Sequence, residues 1–203
     1  MAQRVAGQEP ANDSPMRALF INPPNSPFTA KELLIEPIDV LTVASYLKML
    51  GAHVTLHDMD HLADRGELLA HNLREIKPDI VVIPFDYHIP LYTTDAADAL
   101  VEVLCIVRQH CQKIVLGGRP AQTFPEKFLI DESIVIIKGE MELALKELIA
   151  LKDWDATSFS TVKGVIFKTK RAINRSEERK DLIDLNLLPI PDRSLVEING
   201  YID

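Results

Sequence analysis

Four short blocks of almost unbroken apolar residues constrain this chain more than anything else in it: residues 18–21 (ALFI), 79–83 (DIVVI), 113–116 (KIVL) and 133–137 (SIVII). A strand with one wet face alternates polar and apolar residues, whereas a strand covered on both faces does not. Each block is too short for a helix and far below the ~20 residues that a membrane span needs. They are therefore expected as inner strands of a sheet with both faces covered. A more mixed stretch, 53–58 (HVTLHD), reads as one further strand.

Helical spacing fills the intervals. Between 37 and 50, Ile38, Leu41, Ala44, Leu47 and Met49 or Leu50 recur on one stripe. Pro37 suits the first turn and Gly51 the end. Further helices are expected over 65–76, stopped by Pro78, over 94–110 with a stripe of Ala97, Leu100, Val103, Leu104 and Val107, over 125–130, and over 140–152. Strands alternating with helices imply right-handed crossovers and a parallel sheet. The predicted fold is α/β: a Rossmann-like, doubly wound, five-stranded parallel sheet in flavodoxin-like order, spanning 16–153. Residues 1–15, polar and carrying Pro10 and Pro15, read as a disordered tail. Beyond 153 a small β-hairpin (162–168 with 172–175) and a linker (176–203) are expected.

The formal net charge of -8 argues against nucleic acid or an anionic membrane surface as a partner. The first 16 residues hold no apolar stretch, so they do not read as a signal peptide, and a cytoplasmic location is the expectation. Cys105 and Cys111 have no zinc or iron–sulfur spacing and read as buried thiols.

In such sheets the ligand lies beyond the carboxyl ends of the strands. The loops to examine are then 22–36, 58–64, 84–93, 117–124 and 138–140. Gly117-Gly118, directly after a buried strand, lets backbone approach a bulky ligand; the plainer reading is a tight turn. Arg119 and Thr123 in the same loop suit a phosphate or amide, or simply water. Asn22-Pro23-Pro24 is a rigid exit where a dinucleotide fold would need a glycine-rich turn, and no G-x-G-x-x-G occurs. Asp86 near the third strand and Lys138 after the fifth suggest a phospho-accepting receiver, but Asn22 and Pro23 stand where its acidic pair belongs. His53, His57 and His61 lack acidic or cysteine partners around one point. Glu140 and Glu142 at a helix start are explained by the helix dipole alone.

Taken in order, these pieces resemble the N-terminal cobalamin-binding domain of cobalamin-dependent radical S-adenosylmethionine enzymes. The matching segments are LFINPP (19–24), PIDVLTVASYLKMLGAHV (37–54) with Asp58, IKPDIVVI (76–83), IVLGGRPAQTFPE (114–126), IIKGEMELALKELI (136–149), VKGVIF (162–167) and DLNLLPIPDRSLV (184–196). The chain departs from the family in Pro84-Phe85-Asp86, where a small residue and Ser are usual, and in Met141, which replaces the second glycine of a "GEGE" segment. The resemblance implies cobalamin bound base-off without a protein histidine on cobalt, since D-x-H-x-x-G is absent. It implies contacts from Asn22, Pro23, Pro24, Asn25, Phe85, Asp86, His88, Gly117, Gly118, Arg119, Thr123, Gly139 and Glu140. A side chain at Gly117 or Gly118 would then intrude on the nucleotide tail. It also implies a radical S-adenosylmethionine barrel as partner, in cis or trans, of methyltransferase type. That barrel would hold the iron–sulfur cluster and S-adenosylmethionine through a Cys-x-x-x-Cys-x-x-Cys motif not found here. On this reading the chain has no catalytic residues of its own; it is an excised domain, a truncated product or a stand-alone binder. A receiver-like signalling domain and a degenerate interaction domain are the alternatives.

Overall fold

All four apolar blocks form strands whose side chains divide, residue by residue, between two cores. In the computed structural model residues 14–24, 36–59, 66–85, 94–197 and 201 are described. The strands are β1 (Arg17–Asn22), β2 (His53–Asp58), β3 (Ile80–Pro84), β4 (Ile114–Gly117), β5 (Ile134–Ile137), β6 (Val165–Lys168) and β7 (Ile173–Arg175). The helices are α1 (Ile38–Met49), α2 (Glu67–Ile76), α3 (Thr94–Val107), α4 (Arg119–Thr123), α5 (Pro125–Phe128), α6 (Glu142–Ile149) and α7 (Ala156–Phe159).

One seven-stranded sheet results, in the order β2-β1-β3-β4-β5-β6-β7. The first five strands are parallel, as expected, and β1 and β3 are neighbours. The hairpin does not stand apart. β6 pairs antiparallel with β5, Ile136 opposite Ile166, and β7 continues the sheet.

Alternation does the sorting, because successive side chains of a strand point to opposite faces. Leu19, Ile21, Val81, Ile83, Ile114, Leu116, Ile134 and Ile136 meet Leu69 and Leu73 of α2, Leu100, Val103, Leu104 and Val107 of α3, and Phe128 of α5. Ala18, Phe20, Ile80, Val82, Val115, Val135 and Ile137 meet Val40, Val43, Ala44 and Leu47 of α1, Ala144, Leu145 and Leu148 of α6, and Phe159 of α7. At one edge of the sheet β2 is exposed at His53 and half-buried over residues 54–56, which accounts for its mixed sequence. The connection from β1 crosses the α1 face while that from β3 crosses the α3 face. The chain therefore diverges between these two strands, leaving a crevice beyond their carboxyl ends.

Helix ends differ from the spacing-based expectation by a turn or less. α3 stops at Val107 because the N–H groups of His110 and Cys111 both close onto the Val107 carbonyl, each at 2.9 Å. The stripe of α1 ends at Leu47; Met49 and Leu50 are exposed. Most of the expected tail, residues 1–13, lies outside the described residues. Among those described, no helix is long and apolar enough to cross a membrane.

The segment after β7 returns to the body. The Arg179 guanidinium donates to Glu147 on α6 at 2.6 Å and to the Lys163 carbonyl at 3.3 Å. The Asp192 N–H donates to the buried Ser45 hydroxyl of α1 at 2.7 Å, and Lys48 pairs with the Asp192 carboxylate at 2.6 Å. Lys48, with the Ser194 hydroxyl and N–H, holds the Asp192 carboxyl down at about 2. A lowered carboxyl adds stability above its unfolded value of ~3.9 and loses it as pH falls toward the folded one. Asp192→Ala is expected to speed amide exchange at Ser194 and Leu195 while α1 stays protected. In the parent chain the same release should come only as pH falls from about 4 toward 2; hydrogen exchange followed by mass spectrometry reads both.

Candidate functional site

A cavity of about 460 Å³ lies beyond the carboxyl ends of β3, β4 and β5, beside the start of α1. The first two turns of α1 supply Asp39, Thr42 and Val43, a spacing that puts all three on one side of a helix. The end of β3 supplies Pro84 and Phe85; the chain leaving β4 supplies Gly118, Arg119 and Gln122; the β5–α6 turn supplies Gly139, Glu140, Met141 and Glu142. The lining holds three carboxylates, Asp39, Glu140 and Glu142, and one cation, Arg119.

Two glycines end β4 in different conformations. Gly118 has φ 92° and ψ 158°, a region open essentially to glycine alone. Gly117 has no positive φ, but a Cβ there would lie 2.1 Å from Met141 Sδ and 2.9 Å from its Cγ. The space above Gly117 is filled by the protein itself, through the Met141 side chain. Gly139, at φ 83°, has nothing within 4 Å of a Cβ built on it. Phe85 is 2% exposed and packs edge-on against Phe128, centroids 6.0 Å apart. Its N–H donates to the Gly117 carbonyl at 3.2 Å, which locks the β3 exit to the β4 exit.

Glu142 is the unexpected member. It is 5% exposed, lies in the first turn of α6, and its Oε2 is buried without a hydrogen-bond partner. Burial pushes its carboxyl above the ordinary carboxylate range; its own backbone N–H opposes this and the like charge of Glu140 adds to it. Nearby Tyr46 is pushed up too, by burial and then by Glu142.

Of the residues expected to contact a ligand, Phe85, Gly118, Arg119, Gly139 and Glu140 line this cavity. Gly117, Asn22, Pro23, Pro24 and Thr123 lie outside its lining. The Asn22 amide donates to Asp58 Oδ1 at 2.9 Å, and Asp58 also accepts from the Tyr201 hydroxyl. The Thr123 hydroxyl donates to the Arg119 carbonyl at 2.8 Å. Asn25, Asp86 and His88 lie outside the described residues, as does His61. His57 is buried with Nδ1 3.0 Å from the Asn72 amide, and Lys138 pairs with Glu178 at 2.7 Å. Both cysteines are free thiols. Among the described residues, no group of three or more His, Cys, Asp or Glu is placed to hold a metal ion.

Asp39, Thr42, Val43, Pro84, Gln122, Met141 and Glu142 are cavity residues that sequence reasoning missed. The α1 trio carries a signal after the fact: its spacing of three and four sits on the first helix after β1, at the ligand edge of the sheet. Glu142 carries none.

No family model matches the chain, and no curated protein matches it in sequence. Solved structures do match. The chain is similar to the cobalamin-dependent S-adenosylmethionine radical enzyme OxsB with aqua-cobalamin and S-adenosylmethionine bound. The TM-score is 0.67 at 19% identity, over 92% of this chain and 25% of that one. It is also similar to the radical S-adenosylmethionine methyltransferase TsrM from Kitasatospora setae with cobalamin and a 4Fe-4S cluster bound. There the TM-score is 0.65 at 21% identity, over 81% of this chain and 31% of that one. At these identities the likeness is one of fold, and this chain spans a third or less of either enzyme's length.

Gly117→Ala is expected to lower stability by about 1–3 kcal/mol, the usual cost of forcing a methyl into a filled space. Most of that cost should vanish when Met141→Ala is added; urea melts of the four proteins in the double-mutant cycle measure the coupling. Glu142 supplies a second expectation. A carboxyl whose folded value is raised binds protons more tightly when folded, so stability falls as pH climbs from its unfolded value, ~4.3, through the folded one. Glu142→Gln should flatten that downward slope in melting temperature against pH.

Proposed function

We propose that this chain binds cobalamin, as the accessory domain of a radical S-adenosylmethionine enzyme of methyltransferase type. The observation that carries the reading is the cavity itself, set beyond the carboxyl ends of β3, β4 and β5 and walled by the start of α1. Its ~460 Å³ lies within the roughly 300–1,000 Å³ usual for small-molecule sites. That is room for a nucleotide-sized group, while a corrin ring would rest outside, over the carboxyl ends of the strands.

The residues present fit such a ligand. Gly118 and Gly139 offer bare backbone at the mouth, where a flat macrocycle needs close approach. Asp39, Glu140 and Glu142 are acceptors for the N–H groups of peripheral carboxamides, and Arg119 is the cation suited to a phosphodiester. A bound corrinoid would supply a cobalt centre able to carry a methyl group. This chain's part is to hold the tail, orient the ring and keep water from its lower face. The iron–sulfur cluster and S-adenosylmethionine belong, on this reading, to a barrel domain acting in cis or trans. The structural likeness to OxsB and TsrM supports the same placement. Receiver chemistry gains nothing from the site: Asn22 is committed to Asp58, and Lys138 to Glu178.

Hydroxocobalamin titrated into the folded protein should co-elute with it on gel filtration and give a base-off visible spectrum. A folded protein that retains no corrinoid, or gains phosphate from acetyl phosphate instead, overturns the reading.

A further inference from the structure

Glu142 is buried in a place that offers its Oε2 no hydrogen-bond donor. Its neighbours in sequence, Met141, Ala144 and Leu145, all belong to the apolar core between α1, α6 and the sheet. An acidic residue at a helix start is normally favoured by the dipole while staying in water, as the exposed Glu140 does two residues earlier. Glu142 instead is 5% exposed and lines the cavity, with Oε2 shielded from solvent and unpartnered. A buried acceptor without a donor weakens the folded state, and an apolar side chain of similar size would not. Such a group persists where something outside the chain completes it.

We propose that Glu142 is the residue that recognises the inserted part of the ligand, its carboxyl accepting a hydrogen bond from a ligand hydroxyl or carboxamide N–H. The proposal rests on the cobalamin reading. It assigns to Glu142 a cost in the empty protein that binding repays, so removing the carboxyl must move stability and affinity in opposite directions. A residue that only helps α6 to fold would move both the same way.

The test uses the full chain as parent, E142L and E142Q, with melting temperatures in the absence of ligand and titrations with hydroxocobalamin and dicyanocobinamide. Cobinamide lacks the ribose and base but keeps the carboxamides. E142L is expected to melt above the parent and to bind cobalamin at least tenfold more weakly. E142Q, which keeps an acceptor oxygen, should stay within about threefold of the parent. If the loss in E142L is confined to cobalamin, the donor is a hydroxyl of the nucleotide; if cobinamide weakens equally, it is a carboxamide. E142L binding cobalamin within twofold of the parent overturns the role of Glu142 and leaves the cobalamin reading standing. So does E142L melting below the parent, or E142Q binding as poorly as E142L. A parent that binds neither corrinoid overturns both.

Discussion

Burial of both faces of β1, β3, β4 and β5 is the constraint on which the rest of the molecule depends. Once these strands are apolar on both sides, every connection between parallel neighbours must carry a helix across one face or the other. Phe20, Leu19, Ile21, Ile80 and Ile83 are fully buried, and each contributes roughly 1.5–3 kcal/mol by leaving water. The Arg17–Asp79 ion pair, half exposed at 2.9 Å, is of a kind worth at most about 1 kcal/mol. Its role is local: with the Asp79 N–H on the Arg17 carbonyl at 2.8 Å, it fixes where β3 begins beside β1. Core burial sets the architecture, and such contacts set its registration. The cavity follows at the carboxyl ends of β3, β4 and β5, where the chain leaves the sheet beside the start of α1.

The blocks at 18–21, 79–83, 113–116 and 133–137 disclosed the parallel sheet because their signal is local: a run without polar interruption has few places to go. The hairpin's attachment was hidden for the opposite reason. Nothing within 162–175 says whether Val165, Ile166 and Phe167 face another layer or extend β5. That is decided by whether the β5 edge is open, a property of residues some thirty positions earlier. Likewise the charged stretch after Arg175 looks unstructured, yet Arg179 and Asp192 have partners in α6 and α1.

The site was legible in part. Glycines betray themselves when a φ is positive, and Gly118 and Gly139 sit where the chain needs one. Gly117 looked identical in sequence to Gly118, but its reason is steric and comes from Met141, a residue on the neighbouring strand's exit. Glu142 looked like Glu140, two positions away, because both suit a helix start. Only the packing of α1 against α6 separates a wet carboxylate from a buried one, and that packing is written in residues a hundred positions apart.

β7 pairs with β6 through only three residues, Ile173–Arg175, at the end of the sheet. A broad parallel sheet of this composition would otherwise present the open backbone of β5, Ile-Val-Ile-Ile, to any other chain with a strand to offer. β6 occupies that edge, and β7 then ends it with a short, half-polar strand closed by Arg175. The hairpin thus acts as a selvedge: it finishes the weave on that side, so that a strand from another chain cannot pair with β5.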